Sequence, residues 1–195
     1  MSTYSIPSVI ERTPSGERVT DVYSHLLSNR IIYLGTPIDA GVANALVAQL
    51  LYLESDNPDR DIELYINCEG GDPAAMLAIY DTMQYVSPAV STTCVGQAVS
   101  VGAVLLAAGA PGLRSATPHS RVVLHQPGAE GRGTIPDLII EAEELIRVRG
   151  DMERILACHT GHSEQELRAD TNHTRVFTAG AAVDYGLVDH VADVR

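Results

Sequence analysis

Two hydrophobic periodicities follow each other along the chain. Short runs in which apolar and polar residues alternate predict strands, and longer segments with an apolar residue every three or four positions predict helices. Ile62, Leu64 and Ile66 mark the clearest strand, with one buried face. The predicted order in the first half is strand 31–35, helix 39–54, strand 61–67, helix 73–86 and strand 90–95. This order predicts an α/β fold with a parallel sheet and right-handed crossovers.

The second half of the chain is predicted to contain one unusually long helix. A strand at 121–125 precedes a Gly-rich segment, 126–136, and then a helix over 137–160. That helix would be ~36 Å long, which is more than a domain of this size needs, so we expect it to pack against another subunit. Shorter elements are predicted toward the two ends: a loop or loose hairpin over 1–19, a helix over 21–29, a capping box from Ser163 to Glu166, a helix from Thr178 to Gly186, and a strand over 187–191.

The stretch Val95 to Gly109 carries the main candidate for chemistry. Its pattern predicts the end of a strand, a Gly-Gln turn, and then Ser100 directly before a buried helix of small residues. A serine at such a turn has backbone N–H donors beside its hydroxyl group, as a nucleophile in acyl transfer requires. The alternative is that Ser100 only caps the helix.

Two further features are predicted to meet Ser100 at one edge of the sheet. Gly71 follows the predicted strand 61–67, and His125 ends a later strand. Ligand sites in open α/β sheets lie beyond the carboxyl ends of the strands, so these residues are expected together. A histidine there can accept the serine proton near neutral pH. The alternatives are a plain tight turn at Gly71 and a core or rim position for His125.

Composition and net charge limit the classes of protein to which the chain can belong. The chain suits a single domain, residues 1–195, whose core is built from Ala, Val, Leu and Ile, since Trp is absent and Phe occurs once. The net charge of −12 argues against nucleic acid as the main partner, because phosphate binding needs clustered Lys and Arg.

The remaining composition predicts a cytoplasmic protein that works without a membrane, a metal or a cofactor. Its three cysteines are widely spaced, as in a reducing compartment. No signal-peptide pattern and no membrane-spanning apolar run is recognisable. The pair His159 and His162 lacks the further ligands of a metal site.

Collinear motifs along nearly the whole length resemble the ClpP family of caseinolytic, ATP-dependent serine peptidases. The matching stretches are IPSVIE, RIIYLG, LVAQLLYLES, LYIN with the following GG, IYDTMQYV, GQA-S-GA-LLAAG, SRVVLHQP, HTG and VDYGLVDH. The resemblance implies the ClpP/crotonase-like fold of repeated β-α-β units, with a protruding handle strand and helix over 126–160. It also makes residues 1–19 a flexible N-terminal segment at the axis of a barrel.

The same resemblance implies an activity and partners. Ser100 becomes the nucleophile, His125 the general base, and the backbone N–H groups of Gly71 and Val101 the oxyanion hole. Two heptameric rings, homo-oligomeric or mixed with a sister ClpP subunit, would enclose a chamber. An AAA+ Clp ATPase would feed unfolded proteins into it, to be cut to peptides.

The chain departs from the family at places that matter for catalysis. The usual Ser-Pro-Gly-Gly loop begins here with Cys68 and Glu69, and Val101 stands where methionine is common. Thr174 occupies the position of the triad acid, while Asp170 and Asn172 lie nearby but shifted. We therefore expect reduced activity, and the divergence suggests a paralogue in a cell with several ClpP subunits.

A second departure concerns the apical pocket that receives the ATPase and acyldepsipeptide antibiotics in the family. Four matching positions are polar and three retain some apolar character: Glu63, Thr93, Ser115 and Thr117, with Tyr65, Tyr85 and Val95. This composition predicts weak docking of the ATPase and of the antibiotic, with the ATPase docked through a sister ring. The alternative is an exposed strand face that drifted toward polar residues.

Three functional hypotheses follow. The first is an active ATP-dependent protease subunit. The second is a catalytically weak structural or regulatory subunit of a mixed barrel, which would lower its sensitivity to acyldepsipeptides. The third is a crotonase-type acyl-CoA enzyme, which shares the fold but does not need a Ser–His pair at these strand ends.

Overall fold

The computed structural model describes residues 6–13, 16–128 and 133–193. Nine strands and seven helices occur in this part of the chain: β1 (Ser8–Thr13), β2 (Gly16–Asp21), α1 (Val22–Ser28), β3 (Ile31–Leu34), α2 (Ala40–Asp56), β4 (Ile62–Cys68), α3 (Pro73–Tyr85), β5 (Val90–Val99), α4 (Val101–Ala107), β6 (Arg114–Ala116), β7 (Arg121–Leu124), α5 (Ile135–Thr160), α6 (Glu164–Thr171), β8 (Arg175–Thr178), α7 (Ala179–Asp184) and β9 (His190–Val191). None of these helices is long and apolar enough to cross a membrane.

The central sheet is parallel, as the order of elements predicts. Its main path runs β3-β4-β5-β6-β9, and every neighbouring pair on it is parallel. Strand β5 also pairs with β7, using Gln97 to Val99 beyond the part that pairs with β6. The one antiparallel pair of this sheet joins β7 to β8.

Strand β5 is longer than the sequence pattern predicts. A turn was expected at Gly96-Gln97, but the strand continues through both residues to Val99. Gly96 adopts a φ of 90°, and the register between β4 and β5 shifts between Ile66 and Cys68. The shift in register accommodates Gly96 without ending β5. The turn expected at Gly96-Gln97 is therefore wrong, and the chain turns only at Ser100.

The core is built from small and branched aliphatic residues, as the composition predicts. Strand β4 alternates strictly, with Ile62, Leu64 and Ile66 buried on one face. Helices α2 and α3 cover this face, starting from N-caps at Asp39 and Asp72. All seven residues of α4 are buried, so this helix lies inside the core.

The long helix is present and begins slightly earlier than predicted. Helix α5 has 26 residues, with its C-terminal half packed into the core through Val148, Met152 and Leu156. Its N-terminal half exposes four isoleucines, Ile135, Ile139, Ile140 and Ile146. The strand expected before it is absent from residues 126–128 and 133–134, and residues 129–132 lie outside the described part.

The elements near the two ends of the chain agree in part with those predicted from the sequence. The loose hairpin expected over 1–19 is present as the antiparallel pair of β1 and β2, while residues 1–5 and 14–15 lie outside the description. The capping box between Ser163 and Glu166 is complete. Strand β9 is shorter than the predicted 187–191, and β6 and β8 were not predicted.

Candidate active site

Ser100 occupies a strained position between β5 and α4. Its φ of 53° and ψ of −111° lie in a region that side-chain-bearing residues rarely adopt. The backbone N–H of Ser100 donates to the carbonyl of Val123, with 2.8 Å between N and O, which ties the turn to β7. The hydroxyl group makes no capping hydrogen bond, so the alternative role as a side-chain cap is wrong.

Backbone N–H groups suited to an oxyanion lie around Ser100. Residues Ala103 and Val104 donate to the carbonyl of Ser100, while the N–H of Val101 has no hydrogen bond in the described part of the chain. Free donors directed at the reacting carbonyl are what an oxyanion hole requires.

Gly71 offers a second free donor on the neighbouring loop. The carbonyl of Gly70 accepts from the N–H of Ile38, and the N–H of Asp72 donates to the carbonyl of Ile38. The N–H of Gly71 between them has no acceptor among the described residues. A Cβ on Gly71 would lie 2.2 Å from the oxygen of Ile38, so only glycine fits here.

Cys68 holds this loop against the turn at Ser100. Its thiol donates to the carbonyl of Gly70 over 3.2 Å. A Cβ on Gly102 would lie 3.0 Å from Cβ of Cys68, so the missing side chain lets α4 approach β4 closely. Burial raises the pKa of the Cys68 thiol, so it remains protonated and is not a nucleophile.

His125 follows the last residue of β7 and shares a narrow cleft with Ser100. Leu124, Met152 and Leu156 close the apolar side of this cleft. Its open volume is about 10 Å³, roughly what one water molecule needs. Among the described residues, no hydrogen bond joins Ser100 to His125; Nδ1 of His125 instead lies 2.9 Å from the carbonyl oxygen of Gln126.

The three candidates for the triad acid have other partners or none among the described residues. Asp170 accepts a 2.6 Å hydrogen bond from the hydroxyl of Tyr185 and forms a 2.5 Å ion pair with Arg175. Asn172 accepts from Arg149 over 3.1 Å. Thr174 is exposed, and its hydroxyl has no hydrogen bond in the described part of the chain. In the part of the chain that the structure describes, the His125 imidazole therefore has no hydrogen bond or ion pair with any of the three candidates.

A buried charged network beside the cleft was missed by the sequence interpretation. Glu153 is 2% exposed and accepts from both Arg149 and Arg168, at 2.7 Å for the closest atoms of each pair. Arg149 and Glu153 also line the cleft that contains Ser100. The sequence contains a signal for this network. Positions 149, 152, 153 and 156 form one stripe of the helix, and two of them are charged.

Most of the predicted apical positions share one face of the sheet, which is partly exposed at Tyr65 and Thr93 and buried at Ser115. Tyr65, Thr93 and Ser115 stand side by side on β4, β5 and β6. The hydroxyls of Thr93 and Ser115 are 2.9 Å apart, and the hydroxyl of Tyr65 donates to Glu63 over 3.0 Å. Burial and Glu63 together raise the pKa of Tyr65, so its hydroxyl stays protonated.

The other predicted apical positions differ from one another in exposure and in location. Val95 is 36% exposed, and the hydroxyl of Thr117 donates to the carbonyl of Cys94. Tyr85 lies outside the row of strand residues, at the last residue of α3, with its side chain 79% exposed. The face is therefore polar at its centre, with its large apolar groups at the margins.

Comparison with known proteins gives one consistent family. The family model described as Clp protease matches residues 14–195. A protein of Nocardia farcinica, the ATP-dependent Clp protease proteolytic subunit 1, is 64% identical over 196 residues, covering 100% of both chains. The proteolytic subunit 4 of Rhodococcus jostii is 56% identical over 97% of each chain, and the proteolytic subunit 2 of Streptomyces avermitilis is 55% identical over 100% of this chain and 98% of that one.

Proposed function

Because the chain belongs to the Clp protease family, we propose that it is a proteolytic subunit of an ATP-dependent Clp protease. In this role it is a serine endopeptidase that hydrolyses unfolded proteins to peptides. The observation that carries the proposal is the placement of Ser100. Its N–H is bonded to Val123, two residues before His125, and its hydroxyl is uncapped beside the unbonded N–H groups of Gly71 and Val101.

The geometry supports acyl transfer in which the serine, the histidine and the backbone N–H groups each have one role. The Ser100 hydroxyl attacks the peptide carbonyl and transfers its proton to His125, which then protonates the leaving amine. Water, deprotonated by His125, then attacks the resulting ester, and the return of that proton to Ser100 releases the second peptide. The N–H groups of Gly71 and Val101 donate to the oxyanion that forms.

The proposed assembly is a barrel of two heptameric rings, made of this chain alone or with a sister subunit. The four isoleucines exposed on the N-terminal half of α5 support it, because an apolar helix face of this extent is stabilised by burial against another chain. An AAA+ Clp ATPase docked on the barrel would supply unfolded proteins.

A second candidate function rests on the unassembled triad. Thr174 is not an acid, and Asp170 and Asn172 are bonded to other partners. These contacts favour a catalytically weak subunit that completes a mixed barrel. The polar apical face supports the further proposal that the ATPase docks through the sister ring and that the mixed barrel is less sensitive to acyldepsipeptides. The crotonase-type alternative has no support, since the family model and the relatives above are Clp proteases.

Labelling of the assembled protein with a fluorophosphonate separates the two candidates. An active subunit should be labelled and should cleave an unstructured protein, and Ser100→Ala should abolish both. Ser120→Ala, which removes another buried serine hydroxyl, should leave both unchanged. Labelling that survives in the Ser100→Ala barrel would contradict the proposed nucleophile, whereas an assembled barrel with neither labelling nor cleavage would favour the structural subunit.

A further inference from the structure

The hydrogen bond at Nδ1 of His125 defines the tautomer of the imidazole. This nitrogen lies 2.9 Å from the carbonyl oxygen of Gln126. A carbonyl oxygen can only accept a hydrogen bond, so in the neutral ring Nδ1 carries the proton. The lone pair is then on Nε2, which is the state that a general base toward a serine hydroxyl requires.

Gln126, whose carbonyl is the acceptor, is held from both sides. Its N–H, which belongs to the peptide before it, donates to the carbonyl of Thr171 over 3.0 Å and attaches the residue to the end of α6. The side-chain oxygen of Gln126 accepts from Arg149 over 2.6 Å, which attaches it to α5. These two anchors hold the residue in place and thereby restrict the position of its carbonyl, which lies in the peptide that joins Gln126 to Pro127.

Arg149 is itself fixed by a buried carboxylate. Its Nε donates to Glu153 over 2.7 Å, and the second oxygen of Glu153 accepts from Arg168. Arg149 also donates to Asn172 over 3.1 Å. Charge-assisted hydrogen bonds to a side chain of 3% exposure define the guanidinium position well. The clamp thus extends from Glu153 through Arg149 to Gln126.

We propose that the carbonyl of Gln126 takes the place of the absent triad carboxylate, by holding His125 in the Nδ1–H tautomer. Gln126 and Arg149 are positioning residues in this arrangement, and neither is required to touch the substrate. The catalytic consequence rests on the proposed function, whereas the tautomer does not. A neutral carbonyl orients the ring without offering the negative charge that stabilises imidazolium, so the base is correctly oriented but weaker than in a full triad.

Nitrogen NMR of the assembled protein labelled with ¹⁵N-histidine tests the tautomer directly, whether or not the protein is active. His125→Asn identifies the resonance among the seven histidines. We expect a neutral His125 protonated at Nδ1 in the wild type, and a mixture of tautomers in Gln126→Ala, which removes the anchor to Arg149. Gln126→Glu retains a partner for Arg149 and should restore the Nδ1–H form.

Gln97→Ala is the matched control. It removes a glutamine–arginine bond of the same kind, between Gln97 and Arg121, at the other end of β7. This variant should leave the His125 resonance unchanged. A wild-type His125 protonated mainly at Nε2, or a Gln126→Ala spectrum identical to the wild type, would overturn the proposal.

The rate of fluorophosphonate labelling as a function of pH adds a functional measurement. Gln126→Ala should lower this rate about tenfold, the effect of one charge-assisted hydrogen bond in the transition state. The charged groups around the cleft are Arg149 and Glu153 on α5 and Arg168 on α6, and Gln126→Ala retains all three. If no variant is labelled but the tautomers behave as stated, the proposed activity fails and this inference stands. Equal labelling rates and pH profiles for wild type and Gln126→Ala would instead reject the clamp while leaving the activity in place.

Discussion

The backbone N–H of Ser100 is bonded to the carbonyl oxygen of Val123 at 2.8 Å. This bond joins the turn after β5 to β7 two residues before His125. Because β5 and β7 are parallel neighbours, the two strands bring the serine and the histidine to the same edge of the sheet. Ser100 makes this contact while its backbone has a positive φ of 53°.

The strain at Ser100 should be measurable by comparing two variants that both lack the hydroxyl. Glycine adopts a φ of 53° more easily than alanine, so Ser100→Gly should be more stable than Ser100→Ala by about 1 kcal/mol, after the entropic cost of glycine is subtracted. Thermal unfolding at equal protein concentration gives the difference. A glycine variant that melts below the alanine variant would contradict the strain.

Gly71 should tolerate substitution far less well than its neighbour. A Cβ on Gly71 would overlap the backbone of Ile38, whereas a Cβ on Gly70 would have no atom closer than 4.0 Å. Both residues have positive φ, so Gly70→Ala reports the strain alone and Gly71→Ala reports strain plus overlap. We expect Gly71→Ala to lose at least about 2 kcal/mol more in unfolding free energy, together with peptidase activity. Equal losses in the two variants would argue against the close contact with Ile38.

Installing an acid at position 174 should increase the rate. Disabling the aspartate of a serine protease triad costs about 10⁴ in kcat, so Thr174→Asp should recover part of that factor if its carboxylate reaches His125. The added negative charge would stabilise the imidazolium that forms when His125 takes the serine proton. His173→Asp adds the same charge one residue away and should not reproduce the effect. An unchanged kcat in an assembled Thr174→Asp barrel would mean that the missing acid does not limit catalysis.

The pair Arg114–Asp189 should make stability depend on pH on the acid side. Hydrogen bonds from Arg114, at 2.6 Å for the closest atoms, hold the pKa of Asp189 below its usual range. A lowered folded-state pKa stabilises the protein above the unfolded-state pKa of about 4, and that contribution is lost as the pH falls through the folded value.

Asp189→Asn should remove this part of the acid sensitivity. It should also destabilise the protein by about 3 kcal/mol at neutral pH, because Arg114 is 8% exposed and loses its counter-charge. Asp184→Asn, at an exposed aspartate with no ion pair in the described part of the chain, is the control and should do neither. Chemical denaturation at several pH values measures both effects, and parallel curves for wild type and Asp189→Asn would contradict the linkage.

Rings made only of this chain should bind acyldepsipeptides poorly. The face of the sheet that carries the predicted apical positions has an exposed carboxylate at Glu63 and a hydroxyl pair at Thr93 and Ser115. Each large apolar side chain that is missing removes about 1.5–3 kcal/mol of possible burial, and desolvating Glu63 adds a cost. Calorimetry should show tighter binding to Glu63→Leu than to the wild type, with Glu164→Leu, at an exposed position on α6, as a control that has no effect. Tight, stoichiometric binding to wild-type rings would contradict the prediction.

The sequence alone determined the elements with a strong hydrophobic period. The alternation of Ile62, Leu64 and Ile66 and the helical stripes of α2 and α3 arise from local geometry, because each residue's face is set by its neighbours in the chain. The same regularity placed Ser100 and His125 at strand ends. Local patterns failed for β6 and β8, which have only three and four residues. They also failed at Gly96, where β5 holds extra residues relative to β4 and continues as a strand.

The tertiary structure alone decided the partners of the polar groups. Asp170 is close in sequence to the position of the triad acid, yet Arg175 and Tyr185 engage its carboxylate. Glu153 lies 28 positions after His125 in the chain but reaches the same cleft, because α5 packs along it. Hydrogen bonds depend on the position and direction of atoms from distant segments, which no local period encodes. The bond from His125 to the carbonyl of Gln126 joins adjacent residues, but the groups that hold Gln126 in place, Thr171 and Arg149, come from distant segments.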